Sequence, residues 1–168
     1  RGNVDFMFRD ESLNARNAFA PEVGDEQQQN MNFTMSGTIV KDRTGFSFTT
    51  NGVDAYDSKT LLAALPDGTV NGSVRRPTQR TSLLARLDHA VTKSHTLKAS
   101  YQRNGNELDN LGVGDFDLPS RAYSRDMNED MLRVSFAGPI ARNFFNEMRL
   151  QLRHQSSDSR SLSDAPAV

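Results

Sequence analysis

Residues 80–102, RTSLLARLDHAVTKSHTLKASYQ, decide the fold, because apolar and polar side chains alternate on both sides of a short polar break. In the first half, Leu83 and Leu87 fall on one face of an extended chain. In the second half, Leu97 belongs to a similar apolar row. The break at residues 92–95, TKSH, consists of residues that favour turns. The stretch therefore predicts a β-hairpin with one apolar face and one polar face.

The polar face of this hairpin predicts cross-strand ion pairs. If the apolar faces of the two arms coincide, Asp88 lies opposite or diagonal to Lys98. A second alternating pair of segments follows later in the chain, and the same alignment of its faces brings Arg133 opposite Glu147. We expect both ion pairs to line the polar side of a sheet.

The composition limits the class of protein. The 168 residues contain no Cys, so they offer no disulfide, thiolate metal ligand or Cys nucleophile. The 20 basic and 21 acidic residues are interspersed, which argues against a nucleic-acid partner. No apolar run approaches the ~18 residues of a membrane-spanning helix. A hydrophobic content of 36% is low for a packed globular domain, but it is typical of a membrane β-barrel, whose strands face water on one side.

The alternation recurs along the chain and predicts about seven strands. The expected strands are residues 2–10, 30–40 and 45–56, the two arms of the hairpin, and residues 130–137 and 144–154. Long irregular stretches are expected at residues 11–29, 57–79 and 105–128, with possible helical turns at 13–16 and 60–64, and another loop from residue 155 onward. Short links at 41–44, 92–95 and 138–143 alternate with the long stretches. In an up-and-down meander this order places all short turns at one end, which is the layout of bacterial outer-membrane barrels.

The apolar rows of these strands carry no charge, as a lipid-facing surface requires. A Lys or Arg that faces lipid at the bilayer midplane costs about 2–4 kcal/mol. The residues expected to face lipid include Phe6, Phe8, Phe33, Phe48, Leu83, Leu87, Leu97, Leu132, Val134, Phe136, Leu150 and Leu152. The opposite rows carry the charged residues and are expected to face a water-filled lumen. The predicted fold is all-β, an antiparallel up-and-down meander that forms part of a larger transmembrane β-barrel.

Three segments resemble the start of the barrel in TonB-dependent outer-membrane receptors, especially the Oar-like group with a carboxypeptidase-regulatory-like amino-terminal domain. They are residues 8–21, FRDESLNARNAFAP, residues 28–54, QQNMNFTMSGTIVKDRTGFSFTTNGVD, and the 80–102 hairpin. In that group the first barrel strand ends in a phrase similar to F-R-N-D-x-L-(N/D)-A-R-N-F-F. A phrase similar to G-G-x-(I/L)-x-K-D-(K/R)-(T/L)-F-F-F spans the first periplasmic turn. The chain departs from that pattern at residues 35–38, where the family has a Gly-rich step, and at Gly45, which replaces an aromatic residue.

The resemblance implies a protein of the bacterial cell outer membrane that takes up large or scarce nutrients, of the siderophore, cobalamin or glycan class. Such transporters close 22 strands around a plug, so residues 1–168 would be a partial barrel domain of seven strands. The implied partners are outer-membrane lipid, the TonB system acting through a plug outside these residues, and an unidentified extracellular cargo. The first strand is already under way at Arg1, so we expect a piece of a longer protein. No enzymatic activity and no cofactor are expected.

Other interpretations remain open from the residues alone. A secreted or surface all-β binding or adhesion module, without transport activity, would stack its apolar faces on each other. Residues 106–117, NELDNLGVGDFD, offer carboxylates and carbonyls for an oxygen-ligated Ca²⁺ site, although a solvated loop is the simpler interpretation. His154, Ser156 and Asp158 combine residue types found in hydrolases, but their spacing in a polar segment is more typical of an exposed loop.

Overall fold

The computed structural model describes residues 1–13, 25–65 and 68–162. It is all-β, with 83% strand and no α-helix in that part. The strands are β1 (Gly2–Asp10), β2 (Gln27–Val40), β3 (Thr44–Leu65), β4 (Gly68–Ala90), β5 (Thr96–Leu111), β6 (Tyr123–Ala141) and β7 (Phe144–Ser161). Short 3₁₀ turns occupy Glu11–Leu13 and Pro119–Arg121. Within the described ranges, no helix has the length and apolar character needed to cross a membrane.

All seven strands form one sheet in sequence order, and each pairs antiparallel with the next. The predicted antiparallel up-and-down meander of seven strands is therefore confirmed. The sheet is open, since β1 and β7 are its two outer strands in the part of the chain described.

The strands are longer than the sequence pattern predicted. The irregular stretch expected at 57–79 and the helical turn at 60–64 are wrong, because β3 and β4 pair continuously from Thr44↔His89 to Leu65↔Gly68. The loop expected at 105–128 shrinks to residues 112–122, and the loop expected from 155 onward is strand as far as Ser161. These extensions carry Thr, Ser, Asn and Arg on both faces, so they lack the apolar period that reveals a half-buried strand.

The three predicted short turns lie together at one end of the sheet, and two glycines there are covered by rings. The link between Leu65 and Gly68 is also short but lies at the other end, where a long loop was predicted. Phe46 lies in register opposite Gly37, and a Cβ at Gly37 would approach the Phe46 ring to 2.9 Å. The His95 ring covers Gly138 in the same way, at 2.3 Å, and stacks on Phe136 with 5.6 Å between ring centroids. An aromatic ring over a glycine restores packing that the missing side chain would otherwise leave open.

The molecule is a single layer, and it has almost no core in its described part. Its buried residues there are Thr44, Leu61, Val113, Gly114, Ala122, Met131 and Gly138. On β2 the polar side of the sheet is the more sheltered one, since Asn30, Asn32 and Thr34 are half-buried, whereas Met31 and Met35 are exposed. This order is the reverse of that in a water-soluble sheet protein. Together with a depression of about 590 Å³ on the same side of β4 to β7, it indicates that the polar face is concave.

Candidate functional site

The convex face carries a continuous apolar band across all seven strands. The register joins its members directly, since Phe46 lies opposite Leu87, Leu87 opposite Ala99, Ala99 opposite Val134 and Val134 opposite Leu150. The apolar band consists of Val4, Phe6, Phe8, Met31, Phe33, Met35, Phe46, Phe48, Leu83, Ala85, Leu87, Leu97, Ala99, Tyr101, Leu132, Val134, Phe136, Met148, Leu150 and Leu152. It includes all twelve residues predicted to face lipid.

Many side chains in this band are left bare. Phe6 is 67% exposed and Leu150 is 55% exposed, and nothing in the described part of the chain packs over the band. Burying a Leu or Phe side chain is worth about 1.5–3 kcal/mol. A surface of this extent is therefore stable only where an apolar phase or another apolar surface covers it.

The apolar band has a defined upper border and a height that suits a bilayer. On the same face, Arg103 follows Tyr101 on β5, Asp130 follows Leu132 on β6, and His154 follows Leu152 on β7. Below this border, β6 continues for about ten residues to the short turn, roughly 30 Å along the strand. A strand tilted as in outer-membrane barrels then covers an apolar height near the ~25 Å of such barrels.

The polar face holds the four residues predicted to form ion pairs. Asp88 lies directly opposite Lys98, which confirms the predicted alignment of β4 and β5. The charged groups of Asp88 and Lys98 form no salt bridge with each other in the described structure. They share the polar face as neighbours.

The predicted pair of Arg133 with Glu147 is wrong. Arg133 lies opposite Gln151, and its Nε donates a hydrogen bond of 3.1 Å to Gln151 Oε1. Glu147 accepts instead from Arg149 Nε at 2.7 Å. The reason is the turn, since β6 and β7 continue to Ala141 and Phe144 and leave two residues between them instead of the expected six. The register of β7 is therefore shifted by four residues.

A depression of about 590 Å³ lies on this polar face. Its charged lining residues are Arg86, Asp88, Lys98, Arg133, Glu147 and Arg149. Four cations against two carboxylates leave a net positive lining. Such a surface is suited to water and to anionic groups, and it could not be buried in a protein core without a large desolvation cost.

At the opposite end from the short turns, residues 112–122 form a strap over the polar face of the tall β3–β4 hairpin. Gly114 has a φ of 123°, and a Cβ there would lie 2.9 Å from Lys59 Cβ. Lys59 belongs to the polar face, because its register partner Val74 lies on the same side of β4 as Asp88. The strap thus folds inward over the concave side of the sheet.

Backbone hydrogen bonds hold the strap in place. Leu62 N–H donates to the Asp115 carbonyl at 2.6 Å, and Asp115 N–H donates to the Thr60 carbonyl at 2.7 Å. The contact is a parallel β-bridge between Leu61 and Asp115. Leu61 is 4% exposed and Val113 is 6% exposed, so the strap provides much of the little apolar burial that the described residues have.

The sequence did not reveal the strap, because its location depends on the length of β3 and β4. The two glycines at 112 and 114, which both have positive φ, were the signal of an unusual backbone path. Phe116, at the strap's tip, is 82% exposed.

The structure does not bring together the residues of the candidate hydrolytic site or of the candidate Ca²⁺ site. His154, Ser156 and Asp158 lie on β7, a strand and not the expected loop, at alternate positions about 7 Å apart. No hydrogen bond joins these three side chains in the described structure. The described residues also contain no group of three or more His, Asp or Glu side chains that could hold a metal ion.

Comparisons of the chain with protein-family models, with curated proteins and with solved structures yield no match. The features of the molecule that bear on function are the two unlike faces of the sheet and the strap.

Proposed function

We propose that the chain forms part of the wall of a TonB-dependent receptor in the bacterial outer membrane. In this proposal the seven strands belong to a larger closed barrel of the 22-strand type, whose convex face contacts lipid and whose concave face lines the lumen. The protein takes up a large or scarce nutrient, and a plug outside these residues couples it to the TonB system.

The observation that carries the proposal is the bare apolar band. An antiparallel sheet in a water-soluble protein packs its apolar face on a core and turns its polar face to solvent. Here the apolar face is convex and uncovered, and the polar face is concave and charged. A barrel in lipid satisfies both faces at once, and closure of the barrel also satisfies the backbone groups along the outer edges of β1 and β7.

The positions of the turns and of polar residues support the same arrangement. Three short turns lie together at one end, where outer-membrane barrels have their periplasmic turns, and the tall β3–β4 hairpin and the strap lie at the other end. The upper border of the apolar band is formed by Tyr101 and the charged residues beyond it. The resemblance of residues 8–54 to the start of a receptor barrel narrows the proposal from outer-membrane barrels in general to TonB-dependent receptors.

A matched pair of substitutions on one strand tests which face meets lipid. Leu87 lies in the apolar band, whereas Leu84 lies on the polar face three residues away, opposite Thr49 and Gln102. We expect Leu87→Arg to lower the level of folded full-length protein in outer membranes, because the cation would cost about 2–4 kcal/mol in lipid. Leu84→Arg should be tolerated, since its side chain would reach the aqueous lumen.

The measurement is the amount of heat-modifiable protein in outer-membrane fractions of cells expressing each variant. Equal levels of the two variants, or a loss confined to Leu84→Arg, would contradict the proposed orientation. A full-length protein that is monodisperse without detergent would instead favour the secreted or surface binding module.

A further inference from the structure

The outer edge of β3 lacks a neighbouring strand over residues 57–65 in the described part of the chain. β2 pairs with β3 only as far as Tyr56, whereas β3 continues to Leu65. The other edge of this segment is fully paired with β4. We call residues 57–65, DSKTLLAAL, the β3 edge. Its start carries the charged residues Asp57 and Lys59, but it contains no Pro, and from Thr60 onward no charged residue protects the edge from pairing with another chain, while Leu62 is exposed.

The β3 edge already forms backbone hydrogen bonds with another segment of the chain. Leu62 N–H and the Thr60 carbonyl point outward and bond to one residue of the strap, Asp115. Because the backbone groups of a strand alternate between its two edges, the outward groups also include those of Ser58 and Ala64. Asp115 therefore bonds to only two of the backbone groups that point outward from the β3 edge. On the same segment of β3, the enclosed Ser58 Oγ has no hydrogen-bond partner among the described atoms.

We propose that the β3 edge is a docking site for an extended polypeptide, and that Asp115 occupies it when no such polypeptide is bound. The mode is strand addition, in which main-chain hydrogen bonds give affinity and alternate side chains give selectivity. A polypeptide fits because it repeats N–H and C=O groups at the spacing of the edge, which is how Asp115 already binds. This inference rests on the proposed function only for the side of the membrane on which the β3 edge lies. In an outer-membrane barrel, the strap end of the sheet would face the cell exterior.

The strap and the polypeptide compete for the same backbone groups. A bound strand that runs past Leu61 must displace Asp115 and uncover Val113. The apparent affinity for a polypeptide is therefore reduced by the fraction of molecules in which the strap is closed. Weakening the strap should strengthen binding.

The probe is a fluorescein-labelled peptide with the strap's own sequence, LGVGDFDL, residues 111–118. Binding to the full-length protein in detergent micelles is measured by fluorescence anisotropy. The test variant is Asp115→Pro, because proline has no N–H for the Thr60 carbonyl and cannot adopt the φ of 55° found at Asp115. We expect this variant to bind the peptide about tenfold more tightly than the parent protein. Gly52→Ala, at a site with no atom within 4 Å of the added Cβ, is the control and should bind like the parent.

A second peptide tests the edge without altering the protein's fold. The same sequence, N-methylated at the residue that corresponds to Asp115, keeps every side chain but loses the N–H that the Thr60 carbonyl accepts. It should bind the Asp115→Pro variant about two- to tenfold more weakly than the unmodified peptide. Equal binding of the two peptides would overturn the proposal, as would equal binding of the unmodified peptide by the Asp115→Pro variant and the parent.

These measurements are independent of membrane orientation and transport. A failure to bind the peptide would remove the docking edge and leave the outer-membrane proposal intact. Equal tolerance of Leu87→Arg and Leu84→Arg would remove the outer-membrane orientation and leave the docking edge intact.

Discussion

Tyr101 Oη donates a hydrogen bond of 2.5 Å to Asp130 Oδ1 at the line where the apolar band ends. Tyr101 lies opposite Leu132, the last apolar residue of β6 on this face, and Asp130 is the next residue of β6 on the same face. A tyrosine with its ring on an apolar surface and its hydroxyl on a polar group is typical of a membrane–water interface. The pair marks the upper border of the band.

Removal of the Tyr101 hydroxyl should weaken this border. We expect Tyr101→Phe to lower the urea concentration at the midpoint of unfolding from lipid vesicles with little change in the slope, because one cross-strand hydrogen bond is lost while the ring remains. Tyr56→Phe is the matched control, since the Tyr56 hydroxyl has no hydrogen bond in the described structure and its ring contact with Arg75 would be kept. Equal shifts in the two variants would contradict a specific role for the Tyr101–Asp130 bond.

The His95 ring covers Gly138 and leaves no room there for a side chain. A Cβ at Gly138 would lie 2.3 Å from His95 Cδ2, and the ring is restrained by hydrogen-bond contacts of Nδ1 with Thr92 Oγ1 at 2.9 Å and Ser94 Oγ at 3.2 Å. We expect Gly138→Ala to destabilise the full-length protein by about 1–3 kcal/mol, the usual cost of overpacking.

The control for Gly138→Ala is Gly52→Ala, on a strand at a site where the added methyl group meets no atom within 4 Å. It should leave stability unchanged or raise it slightly, because alanine restricts the unfolded chain. Urea unfolding of both variants from vesicles gives the comparison. A Gly138→Ala variant as stable as Gly52→Ala would show that the His95 ring does not restrict this site.

Asp10 lies beyond the apolar band at the end of β1, and we expect its hydrogen bonds with Ser12 and Gln27 to depend on pH. The Ser12 hydroxyl, the Ser12 N–H and the Gln27 amide all donate to its carboxylate, and together they lower the pKa of Asp10 below its ordinary value of 3.8. A lowered pKa in the folded state means that the contact stabilises the fold above the ordinary pKa and is lost as the pH falls through the lowered value.

Hydrogen exchange of the Ser12 amide measures this contact. At neutral pH the parent protein should exchange more slowly than Asp10→Ala, and the difference should be lost as the pH falls through the lowered pKa of Asp10, because the carboxyl group then becomes protonated. Comparing the two proteins at each pH removes the intrinsic pH dependence of exchange. A difference that stays undiminished at every acid pH at which the protein remains folded would contradict this assignment.

The strands that bear the apolar band were predictable from the sequence, and their polar extensions were not. Leu83, Ala85 and Leu87 repeat every second residue against a polar row, a pattern that only a strand with two different environments produces. Residues such as Thr78 and Arg76 on β4 lie above the band, where both faces are polar, so no periodicity distinguishes strand from loop. Their strand conformation follows from pairing with β3, which is a nonlocal property.

The sequence predicted which residues lie on each face of the sheet, but it predicted the cross-strand partners of the charged residues only in part. Asp88 and Lys98 were aligned correctly because a four-residue polar break fixed the turn between β4 and β5. Arg133 and Glu147 were misaligned because residues 138–143 were expected to form the turn, whereas β6 continues through Pro139 to Ala141. The strap was missed for a related reason, since its contact with Leu61 exists only when β3 extends to that residue.

The central claim, that one face of the sheet meets lipid and the other meets water, is tested most directly by a spin-label scan of residues 83–88 on β4. Single nitroxide labels are placed on Cys residues in a Cys-free background of the full-length protein in lipid vesicles, and collisions with oxygen and with a water-soluble nickel complex are measured. The account predicts high oxygen accessibility at Leu83, Ala85 and Leu87 and high nickel accessibility at Leu84, Arg86 and Asp88. Equal accessibility at all six positions, or the opposite phase, would contradict it.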